Sequence, residues 1–274
     1  MNRMAFDFLA DLLRRESGMN ITPEKSYLLE SRLLPLAQQQ GLAGVEALAA
    51  HLRRSDDNTA IRQAVVEAMM THESSFFRDI TPFQRLRETI IPTLIEKRRA
   101  SKTLRIWSSA CASGQEIYSI AMLLREMGAA LSGWRVDLLA TDVSYDILEQ
   151  AKRGTYSQFE AQRGLPVHML VKYFTQTEEK WTIAEALRDS ISFRQLNLLL
   201  LPPGIGTFDI IFCRNILMYL DTSARARVLQ NLHGVMHPDS VLFLGAAENV
   251  SGLTQLFKPF PDMQGVFLQA DGAF

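Results

Sequence analysis

The chain has 274 residues, 47% of them apolar, with a formal net charge of −1. That is length enough for one large domain or two small ones with a sizeable core, and the near-neutral charge argues against a general nucleic-acid binder. Cys111 and Cys213 lie far apart without CxxC spacing or clustered His, which argues against a disulfide framework and a metal site, and the absence of a membrane-length apolar run or signal peptide predicts a cytoplasmic protein without membrane insertion.

Residues 2 to about 70 read as helical throughout, with Phe6, Leu9, Leu12 and Leu13 on one stripe. Thr22 and Pro23 mark a helix start. That helix carries Tyr27, Leu28, Leu33 and Leu34 and ends near Gly41, with Pro35 expected to bend or shorten it. Two further helices, Val45 to Leu52 and Ile61 to Met70, are separated by a break at Ser55–Asn58. The polar and doubly aromatic stretch Thr71–Asp79 does not continue a helical stripe. A helix then starts at Thr81–Pro82 and reaches about Arg98.

Leu104–Trp107 reads as a short buried strand, followed by small residues from Ser108 to Gly114 and an amphipathic helix from Gln115 to Met127. A strand, a loop without bulk and a helix N-terminus can cradle a nucleotide-like ligand. An ordinary βα turn is the alternative, since this is not a GxGxxG fingerprint. Arg135–Asp142 is a second buried strand. An acid at its C-terminal end, Asp142, faces the ligand crevice of a βαβ unit and can accept from ribose hydroxyls. The competing role is N-cap of the helix Tyr145–Arg153, for which Ser144 is also placed.

Between 154 and 196 the stretches Val171–Thr175, Lys180–Ala184 and Ile191–Gln195 alternate and read as a small antiparallel β-subdomain. Its edge strands can accept a peptide strand, or the subdomain is decoration. Phe208–Asn215 is a further buried strand ending in Arg214 and Asn215. A helix runs from about Ser223 to Met236, His237–Ser240 reads as a turn, and strands follow at Val241–Gly245 and Gly265–Gln269. Helices alternating with buried strands predict an α/β fold with a doubly wound, mostly parallel sheet. The expected organisation is a helical N-terminal domain over residues 1–75 and a second domain over 76–274, with the β-subdomain inserted at about 165–195.

Several stretches together resemble the chemotaxis receptor methyltransferase (CheR) family. They are Thr71–Arg78, Trp107–Ala121, Ala140–Asp142, Arg153–Tyr156, Phe208–Tyr219 and Gly245–Asn249, in the family's order and spacing. The resemblance implies a methyltransferase sheet and S-adenosylmethionine as the methyl donor, with S-adenosylhomocysteine as product. It implies glutamates of chemoreceptor cytoplasmic domains as acceptors, and in some relatives a receptor C-terminal peptide bound at the β-subdomain. A monomer is expected.

Residue roles follow from the same resemblance. Glu116 and Asp142 match acids that bind the cofactor, Asp142 at the ribose. His72 and Ser74 fall where relatives contact it with Asn or Thr. Asn197 with Leu198, and Arg214 with Asn215, match segments lining its adenine and methionine ends. Arg78 and Tyr219 match residues near the transferred methyl, and Arg78 is assigned to both cofactor and catalysis. The chemistry suits these types: a glutamate carboxylate is already ionised near neutral pH, so positioning replaces general-base catalysis. Arg78 can hold the acceptor by a forked pair. Otherwise it is a surface partner of Asp79 or Glu73, and Tyr219 a core aromatic.

The chain departs from the family in two places. Gln115 and Ile117 replace an acid and a proline of the cofactor loop, while Glu116 is kept. The second helix keeps only Arg32 of the arginines that dock receptors in enterobacterial relatives. Arg53, Arg54 and Arg62 are substitutes, or a solvated face. The competing functions are a non-catalytic S-adenosylmethionine- or S-adenosylhomocysteine-binding adaptor and a methyltransferase of nucleic acids or small molecules.

Overall fold

A computed structural model describes residues 1–54 and 58–274. Ser55 to Asp57, most of the expected break, lie outside the described residues. Two compact units are formed: residues 1–71 with 217–228, and residues 72–216 with 229–274.

The first unit contains α1 (Arg3–Ser17), α2 (Ser26–Gln39), α3 (Val45–Arg54) and α4 (Thr59–Met69). Asn2 caps α1 by accepting from the Ala5 N–H at 2.9 Å, and Gly18 ends it in a left-handed conformation. Leu9, Leu12, Leu13, Leu29, Leu33, Leu48, Leu52 and Val65 form its buried core. Thr22 precedes a short 3-10 turn, Pro23–Lys25, and makes no side-chain cap bond. Pro35 does not shorten α2, which runs through it to Gln39. Pro35 is exposed, so the carbonyl it leaves unbonded can be met by water. Arg32 is spent inside the unit. Its Nη1 donates to the carbonyls of Met69 at 2.6 Å and Met70 at 3.3 Å, where α4 ends. Residues 217–228 join this unit through Met19, which bridges antiparallel to Leu220.

The second unit is built on a seven-stranded sheet among the described residues: β1 (Thr103–Ser108), β2 (Arg135–Asp142), β6 (Ile191–Gln195), β7 (Phe208–Cys213), β8 (Met236–Leu244), β9 (Phe257–Pro259) and β10 (Val266–Gln269). Their order is β6-β2-β1-β7-β8-β10-β9. β6, β2, β1, β7 and β8 pair in parallel, and β10 runs antiparallel between β8 and β9. Every residue of β7 is buried, as expected of a central strand covered on both faces. Helices α5 (Thr81–Arg85) and α6 (Ile91–Lys97), joined through one wide turn at Leu86–Ile90, α7 (Gln115–Glu126) and α8 (Tyr145–Arg153) alternate with these strands, and α12 (Thr222–His233), whose residues 222–228 belong to the first unit, follows β7 in the chain.

A separate three-stranded antiparallel sheet has the order β3-β5-β4, with β3 (Thr155–Ser157), β4 (Phe174–Thr177) and β5 (Lys180–Ile183). Short helices α9 (Gln158–Gln162), α10 (Val167–Tyr173) and α11 (Glu185–Arg188) flank it. Three local expectations differ from the structure. Val171–Tyr173 is helical, because Met169, Leu170 and Tyr173 are buried at helical spacing. Ile191–Gln195 is the edge strand of the main sheet, paired with β2, and not part of the subdomain; an edge strand with one face open alternates just as a hairpin strand does. His237–Ser240 is not a chain-reversing turn. The β7–β8 register slips between Phe208 and Ile210, so the turn signal becomes a bulge within β8.

Candidate active site

The parallel strands end at one edge, and their registers bring the segments beyond those ends into line. Ser108 pairs with Ala140 and Phe212, Asp142 with Gln195, and Cys213 with Leu244. The loop after β1, Asp142, Asn197, Arg214–Asn215 and Gly245–Glu248 therefore share the C-terminal edge, on both sides of β1. This is where open α/β sheets bind ligands.

The loop after β1 is pinned from both neighbours. Ser109 N–H donates to the Phe212 carbonyl at 2.8 Å, and Cys111 N–H to the Thr141 carbonyl at 2.9 Å. Trp107 Nε1 donates to Thr141 Oγ1 at 3.0 Å, which donates to the Ser109 carbonyl. Asp142 is 8% exposed. Its Oδ2 accepts from Ala112 N–H at 3.0 Å and its Oδ1 from Ser144 N–H at 3.1 Å. Burial raises its pKa above the ordinary aspartate value, against the pull of these N–H groups and of nearby His72. Ser144 Oγ caps α8 by accepting from Ile147 N–H, so Asp142 is left facing the crevice. The small loop residues are held as a fixed wall, not as a mobile turn.

A charged cluster stands beside it. Arg214 has a side chain only 2% exposed. Its Nη1 donates to Glu116 Oε2 at 3.0 Å, and its Nη2 to Asp79 Oδ2 at 2.8 Å and to the Arg78 carbonyl at 3.0 Å. Glu116 Oε1 also accepts from Ser108 Oγ at 2.8 Å. Two carboxylates meet one guanidinium, so the cluster carries an excess of one negative charge. Arg214 Nε is buried without a hydrogen-bond partner among the described residues.

The segment bearing Arg78 is anchored by aromatic residues on both sides. Phe76 packs edge-on against Tyr156 at 5.1 Å and Phe174 at 5.5 Å; Phe77 packs against Phe83 at 5.1 Å. Phe77 N–H donates to Ser119 Oγ on α7 at 2.9 Å. Arg78 is half-buried, and its Nη1 donates to the Glu73 carbonyl at 2.8 Å. The Glu73 carboxylate pairs with Arg163 at 2.8 Å, and the Asp79 carboxylate with Arg214.

The structure thus joins Glu116 and Arg214 by their side chains and Arg78 to Arg214 through its backbone carbonyl, and His72 acts on Asp142 electrostatically. Ser74 is half-buried in the Arg78 segment. Asn197 follows β6 with its Oδ1 accepting from Leu199 N–H at 2.9 Å, and the Leu198 carbonyl accepts from Asn231 Nδ2 at 2.8 Å. Asn215 has a left-handed backbone, φ 59°. Tyr219 belongs to the first unit, 39% exposed, with its carbonyl accepting from Asn20 N–H. Asp79 and Glu248 were not singled out from the sequence as site residues. Asp79 directly follows the motif Thr71–Arg78, and Glu248 lies within the motif Gly245–Asn249.

The donor set fits S-adenosylmethionine. A buried carboxylate suits a ribose diol. The negative excess around Glu116 suits an α-ammonium, and the orphaned Arg214 N–H suits an α-carboxylate. A phosphate would meet Glu116 and Asp79 as like charges.

Among the described residues no helix is long and apolar enough to cross a membrane. Residues 72–266 match the family model described as CheR methyltransferase, SAM binding domain, and residues 4–70 match CheR methyltransferase, all-alpha domain. Chemotaxis protein methyltransferase 1 of Pseudomonas aeruginosa is 35% identical over 271 residues, 97% of each chain. Chemotaxis protein methyltransferase Cher2 of Pseudomonas putida is 34% identical over 269 residues, again 97% of each. The chemotaxis protein methyltransferase of Vibrio parahaemolyticus is 34% identical over 249 residues, 90% of this chain and 89% of its own. The chain belongs to the CheR methyltransferase family, whose members use S-adenosylmethionine.

Proposed function

We propose that this protein transfers a methyl group from S-adenosylmethionine to glutamate side chains of chemoreceptor cytoplasmic domains, forming methyl esters in sensory adaptation. The observation that carries the reading is the junction of Arg78, Arg214, Glu116 and Asp79 beside Asp142. It offers a net negative cluster with one unpartnered, buried guanidinium N–H, a pairing that suits the amino-acid end of an amino-acid-bearing nucleoside.

The donor supplies an electrophilic methyl on a sulfonium. Asp142 holds the ribose hydroxyls, with His72 and Ser74 nearby. Asn197 and Leu198 flank the adenine. Glu116 takes the α-ammonium, Arg214 the α-carboxylate, and Asn215 closes that end. Arg78 retains one N–H bond to the Glu73 carbonyl and presents its remaining donors to the acceptor carboxylate. A single orienting bond keeps that oxygen nucleophilic, whereas a tight bidentate clamp would quench it. Tyr219 is assigned to the methyl-transfer end. The work of the site is alignment, worth several orders of magnitude in rate when the reacting atoms are held in line.

In this reading residues 76–274 are the catalytic domain and residues 1–75 the helical one, in a cytoplasmic monomer. The edge strands β3 and β4 offer backbone groups to an extended receptor tail; Thr175, Gln176 and Thr177 of β4 are exposed.

The test is to map the transferred methyl by peptide mass spectrometry after incubation with a receptor cytoplasmic domain. Methylation of glutamate side chains supports the proposal. Methyl groups on lysine, arginine or the backbone, with glutamates untouched, contradict it.

A further inference from the structure

We infer that Glu248 is a positioning residue for the cofactor site, acting through the backbone of Asn215. The inference rests on the assignment of Arg214 and Asn215 to the cofactor. Glu248 lies just past β8 and is 8% exposed. Its Oε2 accepts from Asn215 N–H at 2.8 Å and from Gly245 N–H at 2.8 Å. One buried carboxylate oxygen thereby ties the ends of β7 and β8 together. Glu248 N–H returns to the Gly245 carbonyl at 2.9 Å, closing a tight turn that aims the side chain back at the strand ends.

Two observations make this more than a local turn. Asn215 has a left-handed backbone, φ 59°, which a non-glycine residue adopts at a cost. The Glu248 bond to its N–H holds that conformation, and with it the direction of the adjacent Arg214 side chain toward Glu116. Secondly, the place of Gly245 is filled by this arrangement. A Cβ there would lie 2.7 Å from Glu248 Oε2, 2.9 Å from Asn215 Nδ2 and 3.0 Å from Asn215 N. The glycine leaves the space that the carboxylate and the Asn215 side chain use. Glu248 and Gly245 thus act through Asn215 on the angle at which Arg214 and Asn215 meet the donor.

Both N–H groups reach the same oxygen, so an acceptor at that point is what these two bonds require. A glutamine carbonyl can occupy it; an aspartate, shorter by one methylene, cannot.

The experiment measures S-adenosylhomocysteine affinity by calorimetry on the full chain, with thermal unfolding alongside. Glu248→Ala and Glu248→Asp are expected to weaken binding about tenfold, the loss of one to two buried hydrogen bonds. Glu248→Gln is expected to bind within about threefold of the parent, since a neutral bond to the same point is retained. Asp239→Asn, at the far end of β8, supplies a destabilised control whose affinity should not change. Asn215→Ala tests the underlying assignment: if it binds like the parent, the assignment of Asn215 fails first. If Asn215→Ala is weakened while Glu248→Asp binds like the parent, the positioning role is overturned. It is equally overturned if Glu248→Gln is as weak as Glu248→Asp, or if Asp239→Asn loses affinity in proportion to its lost stability. Should Glu248→Ala fail to fold, the Asp and Gln variants carry the comparison.

Discussion

Arg214 and Glu116 form a buried ion pair, Nη1 to Oε2 at 3.0 Å, that spans the sheet edge from the end of β7 to the start of α7. Asp79 holds the other side of the guanidinium at 2.8 Å. Removing Arg214 leaves Glu116, 12% exposed, against a second carboxylate without a counter-charge. Arg214→Met is expected to lose about 3 kcal/mol of stability, in the range for breaking a buried pair from one side, and to bind S-adenosylhomocysteine more weakly. Denaturant unfolding and calorimetry check both. A variant as stable as the parent would show that the pair is not buried in the way the geometry implies.

Asp142 gives the site a pH dependence. Burial raises its pKa, and the ribose needs the ionised form. Affinity for S-adenosylhomocysteine is therefore expected to fall as pH drops through a value above the ordinary aspartate pKa of about 3.9, approaching tenfold per unit. The same shift opposes stability. Between the ordinary and the raised value the folded protein binds the proton more tightly than the unfolded chain, so the penalty is absent below the ordinary value, grows as pH rises, and is complete above the raised value. Calorimetry over a pH series, with Asp142→Asn as a weak and flat reference, measures it. His72 acts on Asp142 electrostatically, so the series is repeated in a His72→Gln background. A pH-independent affinity in the parent would contradict the assignment.

The opposite end of the sheet carries an ion cluster of structural use. Arg98 donates to both oxygens of Asp239, at 2.8 and 2.6 Å, and to Asp209 at 3.0 Å. The Arg98 bonds hold the Asp239 pKa below its ordinary value. That stability is present above the ordinary value and is lost as pH falls through the lowered one. Asp239→Asn is expected to cost about 2 kcal/mol at neutral pH. The gap to the parent should close only below about pH 4. Thermal unfolding from neutral to acid pH tests this, and a gap that closes already at pH 6 would count against it.

Gly164 couples the small sheet to the Arg78 segment. It has φ 84°, and a Cβ there would meet the Phe76 carbonyl oxygen at 2.1 Å. The obstacle is backbone, so nothing flexible can give way. Gly164→Ala is expected to destabilise by about 2 kcal/mol or more and to lower methyl transfer further by shifting Phe76–Arg78. Unfolding and turnover measured together decide it; unchanged turnover would mean that Arg78 is not held from this side.

Much of this fold was legible because its signals are local. The buried runs Arg135–Asp142 and Phe208–Cys213 have no competing period, and Ser144 is a strong cap before Tyr145–Arg153. The failures had a common cause. Ile191–Gln195 alternates, but alternation reports one open face and not which sheet supplies the other. His237–Ser240 carries turn chemistry, but the β7–β8 pairing absorbs it as a bulge. In the site, Asp142 could be anticipated from its position at the C-terminal end of a strand. Arg214 as a hub could not, because its partners Asp79 and Glu116 lie 135 and 98 residues away. Arg32 shows the converse: a basic residue that suggests receptor docking is committed to the carbonyls of Met69 and Met70.

The most direct test of the account uses a donor with an isotopically labelled methyl group, a chemoreceptor cytoplasmic domain and the full chain. A glutamate methyl ester is labile to mild base, whereas methyl groups on nitrogen are not. The account predicts label on the receptor domain that base releases as volatile methanol, with Arg78→Ala binding S-adenosylhomocysteine within about threefold of the parent but releasing little or no methanol. Donor binding without base-labile label on any cognate receptor, or label that resists base, would contradict it.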